Sequence, residues 1–154
     1  MHVVIMIPAF NEEQSIGEII HRVPKLDGHK TTILVINDGS KDRTSEIAME
    51  EGATVIDNPR NLGLGNSLRI GLTEAINLNA DIIVNIDADG QYNPEDIPHL
   101  IAPILQNKAD LVLANRFNRL NYKMPLIKRM GNKFTSWCVR RLSGTSVRNC
   151  QTGF

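Results

Sequence analysis

Asp87 and Asp89 stand one residue apart, where the apolar run Ile82–Ile86 gives way to Gly90. Two carboxylates at i and i+2 leaving a strand can share one hard cation if the backbone turns there, and a glycine permits that turn. Mg²⁺ or Mn²⁺ takes oxygen ligands and keeps water and substrate phosphate in its shell. Gln91 can add a carbonyl oxygen. The bland reading is that both aspartates cap the turn and the helix that follows. Their place after a central apolar run, beside other polar strand ends, favours the cation.

Four further segments carry candidate groups. Asp38, in Asn37-Asp38-Gly39-Ser40, can accept from a nucleobase N–H or a ribose hydroxyl, or simply form the turn. In Pro8-Ala9-Phe10-Asn11-Glu12, Phe10 can lie against a base and Glu12 near a ribose. A proline stop, a buried Phe and an Asn cap explain the same segment. Asn61-Leu62-Gly63-Leu64-Gly65 has neither the Lys-Ser/Thr of a P-loop nor G-x-G-x-x-G spacing. It reads as a close backbone approach, with Arg60 or Asn61 near a ligand. Arg116 can pair with a diphosphate, or be an exposed arginine without a special role.

These groups need a frame, and the hydrophobic pattern supplies one. Short apolar runs at Val3–Ile7, Thr32–Ile36, Ala53–Asp57, Asp81–Asp87 and Asp110–Asn115 read as five strands, the first stopped by Pro8. Helices are expected over Glu12–Val23 with Asn11 as cap, Arg43–Glu51, the segment from Asn61 to Asn77, and onward from Pro94. Strand and helix in alternation give an α/β fold with a mostly parallel sheet flanked by helices. Ligands in such sheets bind beyond the carboxyl ends of the strands, and every polar cluster above falls there. After Asn115 the pattern changes to a loop and then an amphipathic stretch, Leu126–Leu142. Residues 1–115 are therefore expected to form a binding domain, and 116–154 the start of a second part.

Composition narrows the classes. The chain has 154 residues, 42% of them apolar and 22% charged, which suits a globular core. Cys138 and Cys150 form no C-x-x-C and read as reduced thiols of a cytoplasmic protein, while four scattered histidines argue against a His-based metal site. No apolar run reaches the roughly 18 residues of a membrane span, and the start lacks a basic leader. Net charge is zero, yet Leu111–Phe154 holds nine Lys/Arg and no Asp or Glu, against eight basic and seventeen acidic residues before it. The tail suits an anionic partner, such as phosphate, a membrane surface or a nucleic acid.

Taken in order, PAFNEE, VINDGSKDRT, NLGLGNSLRIGL, DADGQYNPEDIP, ANRF and QTGF resemble the family-two glycosyltransferases with the GT-A (Rossmann-like) fold. Within them, the dolichol-phosphate mannosyltransferase-like branch and its polyprenyl-phosphate relatives are the most similar. The resemblance spans essentially the whole chain, and DADGQYNPEDIP is its most specific part. It implies that Pro8, Phe10, Glu12, Ile36 and Asp38 line a nucleoside pocket. It implies that Asp87, Ala88 and Asp89 meet the nucleotide sugar, that Asp87, Asp89 and Gln91 surround Mg²⁺ or Mn²⁺, and that Arg116 meets the phosphates. Three positions depart from the pattern: Phe10 stands where tyrosine is usual, and Asn37 and Asn149 where aspartate is.

The implied reaction moves a sugar, with inversion, from a GDP- or UDP-linked donor to an acceptor. A polyprenyl (dolichyl) phosphate at a membrane surface suits the basic, amphipathic tail. Nucleic acid is not an expected partner, and a homo-oligomer is compatible with this reading. Family members continue beyond the QTGF segment, so the acceptor part is expected to be incomplete, and no catalytic base is assigned. A non-catalytic nucleotide-sugar-binding fragment is one alternative. A nucleotidyltransferase would need a Gly-rich basic loop after the first strand. A phospho-acceptor receiver domain would need an acidic pair there, where this chain has Pro8.

Overall fold

The computed structural model describes residues 1–90 and 92–114. Contacts divide the chain into two compact units, Met1–Val112 and Leu113–Phe154. The first unit holds a four-stranded sheet of β1 (His2–Ala9), β2 (Lys30–Asn37), β3 (Thr54–Asp57) and β4 (Ile82–Asn85), in the order β3-β2-β1-β4. All three pairings are parallel. The helices are α1 (Ile16–His21), α2 (Thr44–Glu50), α3 (Leu64–Asn77) and α4 (Ile97–Leu105), the last entered through a 3₁₀ turn at Pro94–Asp96. From β1 the chain winds outward through β2 and β3, then returns to β1's other side as β4. The strand order therefore reverses between β1 and β4, the place where such sheets open a crevice.

Period-two alternation in β1 feeds two cores. Val3, Ile5 and Ile7 pack with Ile16, Ile19 and Ile20 of α1, Ala48 of α2, and Ile97 and Ile101 of α4. Val4 and Met6 pack on the other face, with Leu34 and Ile36 of β2 and Ala75 of α3. Both β1 faces are covered, so its run reads as continuously apolar. Helix α3 comes close to the sheet at Gly71, where a Cβ would lie 2.2 Å from Met6 Sδ.

Four expectations need correction. Pro8 does not stop β1: it is buried within the strand, opposite Ile36. The Met6 carbonyl accepts the last bond from the β4 side, from Ile86 N at 3.0 Å. Alternate residues face alternate neighbours, so Pro8 is the next to face β4, and it has no N–H to offer. It marks where β1 and β4 part, while Ala9 O still accepts Asp38 N at 2.8 Å on the other side. Helix α1 is shorter than expected, and Asn11 does not cap it: Asn11 sits at φ 55°, and its side chain instead accepts the N–H of Lys41. Helix α4 begins only after the 3₁₀ turn. The expected strand over Asp110–Asn115 is not formed in its described part: Leu111–Ala114 has no regular structure, and Leu111 and Leu113 are 74% and 56% exposed. Their alternation is that of a strand, but neither side chain finds the cover that would make pairing worthwhile.

Candidate functional site

The loops after β1 and β2 lace together through reciprocal bonds. Asn11 N donates to Ser40 Oγ at 2.9 Å, and Lys41 N to Asn11 Oδ1 at 2.9 Å. Glu12 N donates to Thr44 Oγ1 at 2.8 Å and Glu13 N to Asp42 Oδ2 at 3.1 Å, while Arg43 N donates to Glu13 Oε2 at 3.1 Å. Burial pushes the Asp42 carboxyl up, but the Thr44 hydroxyl and N–H and the Glu13 N–H outweigh it and hold its pKa below the ordinary value. Much of PAFNEE and NDGSKDRT is thus a mutual latch.

Asp38 does similar work for the loop after β3. It is only 5% exposed. Its Oδ1 accepts Asn58 Nδ2 at 2.8 Å and Leu62 N at 2.9 Å, and its Oδ2 accepts Gly63 N at 2.9 Å. These N–H groups lie just ahead of α3, so Asp38 anchors the start of that helix from a distant strand. Burial raises its pKa, but the Leu62 N–H, the Asn58 amide and the Gly63 N–H together hold it below the usual carboxylate range. Beside it, Gly39 at φ 72° lets the two loops touch: a Cβ there would lie 2.4 Å from the Arg60 carbonyl carbon.

A cleft of about 760 Å³ opens on this edge, lined among others by Phe10, Ser40, Lys41, Asp57, Arg60 and Asn61. Phe10 is 43% exposed, an unusual solvent contact for a ring at the end of a central strand. The cleft therefore offers an aromatic face, two cations and several amides and hydroxyls. Asn37 lies at its floor. Its Nδ2 donates to Asp57 Oδ1 at 2.7 Å and its Oδ1 accepts Ser40 N at 3.1 Å. An aspartate there would oppose Asp57, which accounts for the amide at this departure from the family pattern.

The acidic turn follows β4. Gly90 has φ 71°, as the turn requires. Asp87 is half-buried and Asp89 exposed. Ala88 between them is buried and belongs to the α1-side core. Its carbonyl is 2.7 Å from Ser15 Oγ, which lies equally 2.7 Å from Glu12 Oε2. The single Ser15 hydroxyl proton is thus shared between the segment after β1 and the turn after β4.

The structure brings Phe10 to the cleft, and joins Glu12 to Ala88 through Ser15. It does not bring Ile36 or Pro8 to the surface, since Ile36 is wholly buried against α3 and Pro8 lies inside β1; both support the site from beneath. Asp38 touches the cleft region through its partners rather than by an open carboxylate. Gln91 and Arg116 lie outside the described residues. Ser15, Asn58 and Arg22 escaped sequence reasoning, because their partners lie 73, 20 and 71 residues away. The oxygen-only donors at Asp87 and Asp89 suit a hard divalent cation that keeps water and phosphate oxygens. Among the described residues no three His, Cys, Asp or Glu side chains converge as a metal cage.

Several known proteins are similar to this chain in sequence and fold. An uncharacterized protein of Methanocaldococcus jannaschii is 38% identical over 151 residues, covering 97% of this chain and 61% of its own length. The UDP-N-acetylglucosamine–dolichyl-phosphate N-acetylglucosaminyltransferase of Methanococcus voltae is 34% identical over 169 residues, covering 97% of this chain and 66% of its own. The chain thus spans less than two thirds of these relatives. Among solved structures, glucosyl-3-phosphoglycerate synthase of Mycobacterium tuberculosis, in complex with Mn²⁺, UDP and glucosyl-3-phosphoglycerate, superposes with a TM-score of 0.57. It is 31% identical, over 67% of this chain and 39% of that one. The family model described as glycosyl transferase family 2 matches residues 4–142, and the chain belongs to that family.

Proposed function

We propose that this chain supplies the donor site of a glycosyltransferase that moves a sugar from a UDP-linked donor to a polyprenyl (dolichyl) phosphate, with Mn²⁺ or Mg²⁺ and inversion. The observation that carries the reading is the Asp87-Ala88-Asp89 turn, tied through Ser15 to the segment after β1 at the β1–β4 switch point. The Methanococcus voltae relative is named for a UDP-sugar and a dolichyl-phosphate, and the structural neighbour holds UDP with Mn²⁺. Both support the choice of nucleotide, and the second supports the cation.

In this reading Phe10 stacks on the base and Glu12 accepts from a ribose hydroxyl. Asp38 acts indirectly, fixing the segment that presents Arg60 and Asn61. Asp87 and Asp89 hold the diphosphate end through the cation, with Gln91 and Arg116 completing the set. The bound cation would act as a Lewis acid that neutralises charge on the departing diphosphate. An ionised phosphate acceptor needs no strong base to become nucleophilic, which suits a site where no base is assigned. The acceptor would approach from a membrane surface met by the basic tail.

Thermal unfolding with UDP, GDP and other nucleoside diphosphates, with and without Mn²⁺, tests the donor site. At 100 times its dissociation constant a ligand adds about 2.7 kcal/mol. UDP with Mn²⁺ should give the largest shift, and Asp89→Ala should abolish the metal-dependent part while the fold survives. Equal shifts with and without metal, in both proteins, overturn the reading.

A further inference from the structure

Helix α1 is short, yet both of its flanking residues reach the loop that carries the acidic turn. At its start, Ser15 Oγ meets the Ala88 carbonyl at 2.7 Å. At its end, the half-buried Arg22 donates from Nη2 to Asn93 Oδ1, and its Nε lies 3.5 Å from Glu95 Oε1. Glu18 steadies the same guanidinium, accepting from Nη1 at 3.2 Å. Six residues of helix, Ile16–His21, separate the two grips, a span of about 10 Å. The helix itself is a firm base, because Ile16, Ile19 and Ile20 are 0%, 4% and 3% exposed in the core. The loop that carries the acidic turn is thus gripped by one element at Ala88, and again at Asn93 and Glu95.

We propose that Ser15 and Arg22 are positioning residues that splint this segment to α1 and thereby set the cation affinity of Asp87 and Asp89. The inference rests on the donor-site reading above, and deepens it. Ser15 acts at the turn itself: its hydroxyl fixes the peptide carbonyl between the two carboxylates, so its loss frees the angle between them. Because the same oxygen meets Glu12 Oε2, Ser15 also ties the cation side of the site to the ribose side. Arg22 acts farther along, limiting how far the segment can lift from α1. Groups that orient a metal's ligands without touching the metal commonly set its affinity by tenfold or more.

The test uses the 154-residue chain and titrates Mn²⁺ in the presence of saturating UDP, following free Mn²⁺ by electron paramagnetic resonance. Ser15→Ala should weaken Mn²⁺ binding about tenfold, and Ser15→Thr, which keeps the hydroxyl, should restore it. Arg22→Ala should weaken it less, and Arg22→Lys should recover part of the loss. For Arg22→Ala, UDP binding measured without metal should stay as in the parent chain, which a general loss of structure would not allow. Circular dichroism on each variant confirms that α1 has formed. Should the parent chain bind Mn²⁺ in an Asp89-dependent manner while Ser15→Ala and Arg22→Ala bind equally well, the splint is wrong and the donor site stands. Should the parent chain show no Asp89-dependent binding, the donor site and the splint fall together.

Discussion

At the residue scale, the site rests on carboxylates with different duties. Asp38 is spent on N–H groups and holds a loop, whereas Asp87 and Asp89 flank a turn whose middle residue is the one buried. Asn37 shows how narrow the choice is. Its amide nitrogen faces Asp57 at 2.7 Å, with Asp38 adjacent in sequence. The change Asn37→Asp would set two carboxylates at hydrogen-bond distance and should cost about 1–3 kcal/mol at neutral pH. One carboxyl of that pair would have a raised pKa, so its favourable protonated form is gained as pH falls. The stability gap to the parent chain should therefore shrink as pH approaches about 4. Asp38 works in the opposite sense in both proteins. Its lowered pKa stabilises above the ordinary value and is lost as pH falls through the folded one, so it largely cancels from the difference. Denaturant melts of both proteins between neutral and acidic pH check this, and a gap that is constant with pH would show that the two side chains do not couple.

At the scale of elements, the loops after β1, β2 and β3 are one connected structure, and at Gly39 the loop after β2 meets the one after β3. Its φ of 72° is nearly that of Gly28 at 74°, but Gly28 has nothing within 4 Å of a Cβ, while Gly39 meets Arg60 backbone. The pair separates backbone strain from crowding. Gly28→Ala should carry the strain alone, about 1 kcal/mol, and Gly39→Ala about 1–3 kcal/mol more. Gly39→Ala should also weaken UDP binding by moving Arg60 and Asn61. Equal melting shifts for the two variants would mean that the loop yields without cost. Much of this level was legible beforehand. Periodicity located the four strands and α3, and turn chemistry marked Gly90. The misreadings have physical sources: Pro8 tolerates a strand because β4 has already parted from it, and Asn11 serves a neighbouring loop in place of its own helix. What periodicity could not show were contacts between distant segments. The Ser15 bridge and the Arg22 clamp join positions more than 70 residues apart, and neither side chain differs in type from an ordinary helix-end residue.

At the scale of the whole molecule, charge is divided along the chain. The stretch before Leu111 carries a formal charge of about −9, and Leu111–Phe154 about +9, since all nine of its charged residues are basic. The proposed donor site in the first stretch and the proposed polyprenyl phosphate acceptor ask for different surroundings, one aqueous and one lipid. Among the described residues no helix is long and apolar enough to cross a membrane. The sequence of Leu126–Leu142, which lies outside them, alternates Ile127, Met130, Phe134 and Trp137 with Lys128, Arg129, Lys133, Arg140 and Arg141. That pattern suits an interfacial segment whose basic side meets anionic headgroups. Each basic residue near an anionic surface contributes about 1 kcal/mol, an attraction that salt screens. The 154-residue chain should therefore co-sediment with vesicles rich in anionic lipid, less so with neutral ones, and lose most of that binding as salt rises from about 0.05 to 0.5 M. Charge-neutral replacements at Lys128, Arg129 and Lys133 should reduce the anionic preference while leaving UDP binding unchanged, because none of the three is assigned to the donor and Arg116 stays in place. Binding to neither vesicle type would assign the basic tail to some other anion and remove the membrane from the proposed reaction.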